Sequence, residues 1–280
     1  GFTDMKIHAK ATLVVRDEAG SLRRYVHLGT GNYNPKTARL YTDLGLLTCR
    51  PELGADATDL FNYLTGLSRQ EGFRRLLVAP ITLRPRIRDL IVRETDHARA
   101  GRPARIVAKV NALVDPEMIE LLYEASQAGV EVDCIVRGAC SLHPGLPGTS
   151  ERIRVRSVIG EFLEHSRILG FANGGRQEWY TGSADLMERN LDRRVEVVFP
   201  IEDLVAMARI EEIVAVMLDD DRRSWQLGAD AAWRRTEEIL AAPGSRDTFS
   251  ILKERAMATA SEHLEPARGP VSTGSLDPRA

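Results

Sequence analysis

Apolar and polar residues alternate with a period of two over residues 5–15 and again over 22–28, and the polar run Asp17-Glu18-Ala19-Gly20 separates the two stretches. That pattern predicts a hairpin: alternate side chains fall on opposite faces of a strand, and an acidic residue followed by glycine suits the turn. After the turn from Gly29 to Pro35, residues 41–48 read as a further strand, and 56–67 as a helix with Leu60, Phe61, Leu64 and Leu67 at helical spacing. Leu76-Leu77-Val78-Ala79-Pro80 reads as a strand at a boundary near residues 73–80.

Beyond it the pattern becomes regular: helix 85–100, strand 105–110, helix 116–128, strand 130–136, with Pro116 in a first turn and Gly129 as a stop. Such alternation predicts a largely parallel, helix-covered sheet. Further strands are expected at 152–159, 166–172, 178–182 and 195–200, with a turn at Gly174-Gly175 and a closing helix at 203–218. Past Trp233 the signal fades, and 265–280, rich in Pro, Gly and Ser, reads as disordered. The expected class is α/β with mixed sheets flanked by helices. Residues 1–75 form an incomplete first unit, 76–240 a second, and 241–280 a weakly structured tail.

Length and composition narrow the function. The 280 residues suffice for two cores, and no apolar run approaches the roughly 18 residues of a membrane span. Cys49, Cys134 and Cys140 have no metal-ligand spacing and no disulfide framework, so they read as reduced and incidental. A formal charge of −2 gives no global attraction to nucleic acid, so any anion site must be local. The chain opens without methionine and directly into strand-like sequence, as a piece of something longer would.

Two histidines carry the chemistry. His8 lies in Lys6-Ile7-His8-Ala9-Lys10 and His165 in Phe162-Leu163-Glu164-His165-Ser166-Arg167; each precedes a strand and a glycine turn, Gly29-Thr30-Gly31-Asn32 and Thr181-Gly182-Ser183-Ala184-Asp185. A neutral imidazole can attack phosphorus, a lysine two places along points to the same face, and turn amides with Asn32 add donors to phosphate oxygens. Arg167 replaces the lysine in the second copy and adds a forked donor, leaving His165 as acid and base. A transferred phosphoryl group between the two is the reading. Lys109 and Asn111 end one expected strand and Arg137 follows another, where strand carboxyl ends in α/β sheets meet ligands. Tyr41 either packs or stacks on a base.

These residues, with Tyr25 to Pro35, Ala38 to Asp43, Ala108-Lys109-Val110-Asn111, Leu113 to Pro116, Ile135 to Gly138 and Arg189 to Glu196, closely resemble the C-terminal half of the long-form bacterial polyphosphate kinases. The likeness runs from Lys6 to about residue 235. It implies two phospholipase D-like domains, and reversible transfer of the terminal phosphate of ATP to inorganic polyphosphate through a phosphohistidine. His8 matches the phosphorylated histidine, His165 the second essential one, and Tyr41, Arg137 and His165 match nucleotide-contacting positions. Lys10, Asn32, Lys109, Asn111 and Arg167 are assigned to phosphate. Magnesium is implied, with ligands largely upstream and none within these residues. The resemblance further implies a homo-oligomer, no nucleic-acid partner, and a cytoplasmic protein with at most peripheral association with the inner membrane.

Glu161 departs from the resemblance, standing where the family has a basic residue, which lowers the local positive charge. Two other readings stay open. One is a phospholipase D-like phosphodiesterase, whose motif aspartate would fall at Val15; the other is an inactive remnant that only binds polyphosphate or nucleotide.

Overall fold

The computed structural model describes residues 5–263. The chain begins with a short strand, β1 (Lys6–Ile7), then the hairpin of β2 (Lys10–Glu18) and β3 (Ser21–Gly29). Ala19 and Gly20 at its tip both have positive φ, 54° and 80°, the twist that a two-residue hairpin turn requires. A single turn of helix, α1 (Pro35–Ala38), is capped by Asn34 and leads to β4 (Tyr41–Thr42), β5 (Gly45–Thr48) and the helix α2 (Pro51–Leu64). The strand expected over 41–48 is therefore broken at Asp43-Leu44, and the helix begins earlier than its apolar spacing suggested, with Pro51 in its first turn.

The second unit comprises β6 (Leu77–Ala79), α3 (Leu83–Arg99), β7 (Arg105–Val110), α4 (Pro116–Gln127), β8 (Glu131–Val136) and β9 (Ile153–Val158). There follow β10 (Leu163–Glu164), β11 (Ile168–Phe171), β12 (Glu178–Gly182), α5 (Glu188–Leu191), β13 (Arg194–Ile201) and α6 (Leu204–Leu218). Asp115 and Asp203 cap α4 and α6 by accepting backbone N–H groups of their first turns. The chain then adds β14 (Ser224–Leu227), β15 (Trp233–Arg235), α7 (Thr236–Leu240) and α8 (Thr248–His263).

The expectation of a weakly structured tail from 241 is corrected by α8. Its apolar pattern is faint, so periodicity missed it. Asp220 fixes its start by accepting the N–H of Thr248 at 2.8 Å, and Phe249 seals against Gly160. The expected disorder of 265–280 lies outside the described residues.

Among the described residues one ten-stranded sheet runs β1-β13-β12-β11-β7-β8-β9-β14-β15, with β6 also on β13. Only β7–β8, β8–β9 and β1–β13 pair in parallel, so the sheet is mixed rather than largely parallel. The link from β11 to β12 is a tight turn at Asn173–Gly175, too short for the crossover that a parallel pair needs. Both faces are covered. Ile106, Ala108, Val110, Val132, Cys134 and Val136 point toward α3 and α4. Val107 and Ile135 point to the opposite core, shared with α2, α6 and the small sheet β2-β3-β5. The first unit thus rests on the back of the large sheet, to which it adds the outer strand β1.

Candidate active site

β1 brings His8 to the start of β13: the backbone N–H groups of His8 and Ala9 both donate to the carbonyl of Val195, at 2.8 and 3.0 Å. The His8 Nδ1 then lies 2.8 Å from Oε2 of Glu196, a carboxylate with no solvent exposure. Ser183 Oγ donates to the same oxygen. This contact explains one glycine turn, since a Cβ on Gly182 would lie 2.2 Å from the carbonyl oxygen of Val197; only glycine lets the turn after β12 press against β13 and carry Ser183 beneath Glu196.

The second histidine is placed by a two-residue ribbon joining the units. β10 pairs with β4 in parallel, Leu163 N–H donates to Leu40 and His165 N–H to Thr42. His165 Nδ1 lies 2.8 Å from Oδ1 of Asp43, and the Tyr41 ring stacks on the imidazole at 4.9 Å between centroids with 24° between planes. Each histidine therefore takes its carboxylate from the other unit. Gly31 makes room for the second pair, because a Cβ there would lie 2.4 Å from the Asp43 carboxyl group.

Cations surround the pair unequally. Arg167 is buried and forks onto Asp185 at 3.2 Å through both Nε and Nη2, while its Nη1 donates to the His165 carbonyl and lies 3.3 Å from each ring nitrogen of that residue. Asp185 also accepts the backbone N–H of Asn111 at 2.7 Å, which fixes Asn111 beside this carboxylate. Among the described residues the Arg137 guanidinium makes one hydrogen bond, to the Glu164 carbonyl at 3.1 Å. Lys109 is expected to hold phosphate, but it is fully buried, donating to the Ser166 carbonyl at 2.7 Å and ion-paired with Glu164 at 3.1 Å. It props the strand behind His165. Asn32 lies exposed at the rim of its turn, in contact with neither histidine among the described residues.

Lys10 differs from all of these. Its ammonium is buried, and Nζ has no hydrogen-bond partner among the described residues. Burial, with Arg167 nearby, pushes its pKa down to about 8, against the attraction of Glu196 and Asp43. Burial likewise lowers the pKa of His165, the hydrogen bond to Asp43 opposing the shift and Arg167 and Lys10 adding to it. Burial raises that of Asp43, but bonds from His165 and Thr30 outweigh it and hold the carboxyl below its usual range. Burial also depresses the Arg137 guanidinium, with Arg167 contributing.

The acids Asp43, Glu196 and Asp185, and Ser183 beside them, carry no role in the sequence reading, although Asp43 and Glu196 lie in stretches that bear the family likeness. No spacing rule links His8 to an acid 188 residues away, or His165 to one 122 away. Val15, where the phosphodiesterase reading needs an aspartate, is 49% exposed on β2 and offers no acid. Glu161 is exposed and pairs with Lys253 of α8 at 3.3 Å, so the local charge it subtracts is returned by a residue the sequence reading left without a role. Among the described residues no group of three or more His, Cys, Asp or Glu is arranged to hold a metal ion.

The sequence profile described as Polyphosphate kinase C-terminal domain 1 matches residues 1–70, and that of C-terminal domain 2 matches 76–245. The polyphosphate kinase of Thermosynechococcus vestitus is 56% identical over 259 residues, covering 92% of this chain and 35% of the relative. That of Streptomyces coelicolor is 54% identical over 235 residues, covering 84% and 32%. The crystal structure of polyphosphate kinase from Porphyromonas gingivalis aligns with a TM-score of 0.85 at 34% identity, over 93% of this chain and 40% of that one. The chain thus spans about a third of the length of the curated relatives it matches.

Proposed function

The chain belongs to the polyphosphate kinase family, and on that premise we propose that the protein containing it transfers the terminal phosphate of ATP reversibly to inorganic polyphosphate, through phosphate held on His8. The observation that carries this reading is the orphaned ammonium of Lys10 beside two histidines, each held at Nδ1 by a carboxylate. A buried, unpartnered cation is unfavourable until an anion joins it. A phosphoryl group supplies that anion.

Glu196 accepts the Nδ1 proton of His8, which leaves Nε2 with its lone pair as nucleophile. A nitrogen–phosphorus bond forms there as the bond from phosphorus to the bridging oxygen of ADP breaks. In the second half-reaction a terminal oxygen of polyphosphate displaces the histidine. Lys10 and the free donors of Arg137 stabilise the charge that spreads over the phosphoryl oxygens. Tyr41 and His165, stacked together, face the nucleotide side, and Arg167 holds His165 in place.

Magnesium would neutralise the nucleotide phosphates when bound; no group of acids or histidines among the described residues fits it. The division into units at 1–75 and 76–240, a full-length homo-oligomer, and a cytoplasmic location with at most peripheral membrane association belong to the same proposal. Among the described residues no helix is long and apolar enough to cross a membrane.

The test is incubation of the full-length protein with γ-labelled ATP and magnesium. Acid-labile label is expected on His8 and absent from His8→Ala, together with loss of polyphosphate synthesis. Equal labelling of the two proteins would put the nucleophile elsewhere, and a full-length protein that binds but does not label would be an inactive remnant.

A further inference from the structure

We infer that Lys109 is a positioning residue for His165, acting through the backbone on both sides of the histidine rather than on phosphate. The inference rests on the phosphoryl-transfer reading above and deepens it.

His165 lies between β10 and β11, in neither strand. Three consecutive carbonyls there are each met by a cation from a different stretch of chain. Arg137, just after β8, donates to that of Glu164 at 3.1 Å; Arg167 donates to that of His165 at 2.8 Å; Lys109, on β7, donates to that of Ser166 at 2.7 Å. Among the described residues no backbone N–H reaches the carbonyls of His165 and Ser166. Of these three cations Lys109 is the one that takes hold on both sides of the histidine. Its Nζ lies 3.1 Å from Oε2 of Glu164, one residue before, as well as bonding the carbonyl of Ser166, one residue after.

The place is a poor one for a charge. In register with Lys109 are Ile135 of β8 and Ile168 of β11, 3% and 0% exposed, and Val107 lies on the same face of β7 in the same apolar core. An apolar side chain at position 109 would continue that row. Burial disfavours the ammonium, Arg167 and Arg137 oppose it further, and Glu164 is the group that favours it. A buried lysine–carboxylate pair is no better for stability than apolar residues of the same volume, because desolvating two charges offsets their attraction. Fold stability therefore gives no reason for the pair, whereas its directional grip does. Held from behind, the His165 ring keeps its stack on Tyr41 and its contact with Asp43, and a displacement of about 1 Å from such a place can cost about 10²-fold in rate.

The test uses the full-length protein with the pair exchanged together, Lys109→Met with Glu164→Leu, beside His165→Ala. Exchange of both leaves no buried charge unpaired, so Tm is expected within about 5 °C of wild type. Expected for polyphosphate synthesis is a fall in kcat of about 10–10²-fold, with KM for ATP and for polyphosphate changed less than about threefold. In a crystal structure of the variant the His165 ring should have left its contact with Asp43 or spread over several positions. Should the double variant melt far below wild type, Glu164→Gln carries the test with the same readouts. It keeps the lysine's bond to Ser166 and weakens the hold on the other side, and a fall in kcat of about three- to tenfold with unmoved KM values is expected. A kcat within about threefold of wild type in the variant that folds, or a ring still in its wild-type place, overturns the inference. A raised KM for polyphosphate with kcat kept also overturns it, and makes Lys109 a phosphate ligand. If His165→Ala itself keeps polyphosphate synthesis, the reading of the site fails, and the ring position in the crystal still decides what Lys109 does.

Discussion

Lys10 shows how a buried charge can weaken the fold that holds it. Its pKa is depressed from 10.5 to about 8 by burial, so the protonated form is disfavoured in the folded state. Replacement by an apolar side chain of similar length, Lys10→Met, is expected to raise stability at pH 7 by about 1–2 kcal/mol, a few degrees in Tm, discounted for residual screening. The unfolded chain binds more protons between pH 8 and 10.5, so wild-type stability climbs through that window and the advantage of the variant shrinks. Thermal melts at pH 7 and 9.5 check both signs, and an unchanged or lower Tm at pH 7 would refute the argument. Among residues, that His8, His165 and Lys10 come together was legible because their motif is local and repeated. Asp43 and Glu196 were not, since a hydrogen bond between residues more than a hundred positions apart leaves no periodicity. The surroundings of Lys109 were hidden for the complementary reason: position at a strand end does not reveal that an acid such as Glu164 already faces it.

At the scale of elements, those with a strong period were read nearly to the residue, as in β7 and β12, which coincide with the expected 105–110 and 178–182. Elements held by polar hubs were not. Asp220 accepts the N–H groups of Arg222, Arg223 and Ser224 through Oδ1 and that of Thr248 through Oδ2, which starts both β14 and α8. Asp220→Ala leaves buried donors unmet, with an expected loss of about 2–4 kcal/mol concentrated in residues 222–263. Hydrogen exchange should show faster opening of β14 and α8 with β7 and β8 unchanged; uniform destabilisation would mean that the hub is not local. The parallel pairing expected from βα alternation holds for β7, β8 and β9 and stops beyond them, because the Asn173–Gly175 turn makes β11 and β12 antiparallel.

Across the whole molecule, among the described residues, the longest strand at a sheet edge is β2. Among the described residues β2 pairs only with β3, and Val14 and Val15 along it are 48% and 49% exposed. An unpaired nine-residue edge with apolar side chains invites pairing with another chain. Residues 1–280 expressed alone should self-associate at high concentration, and Val14→Lys should reduce this at least severalfold in sedimentation measurements while leaving Tm within about 1 °C. Concentration-independent sedimentation of the wild type would exclude it.

β1 has a consequence in time. The strand that carries His8 to its place pairs with Arg194 and Val195 and with no strand of its own unit among the described residues. During synthesis at roughly 5–20 residues per second, the 188 positions from His8 to Glu196 take on the order of 10–40 s. For that interval His8 has been made but has nowhere to sit. It waits for a strand made nearly two hundred residues later, and a ribosome stalled before β13 would release a chain whose hairpin is complete and whose His8 still swings free.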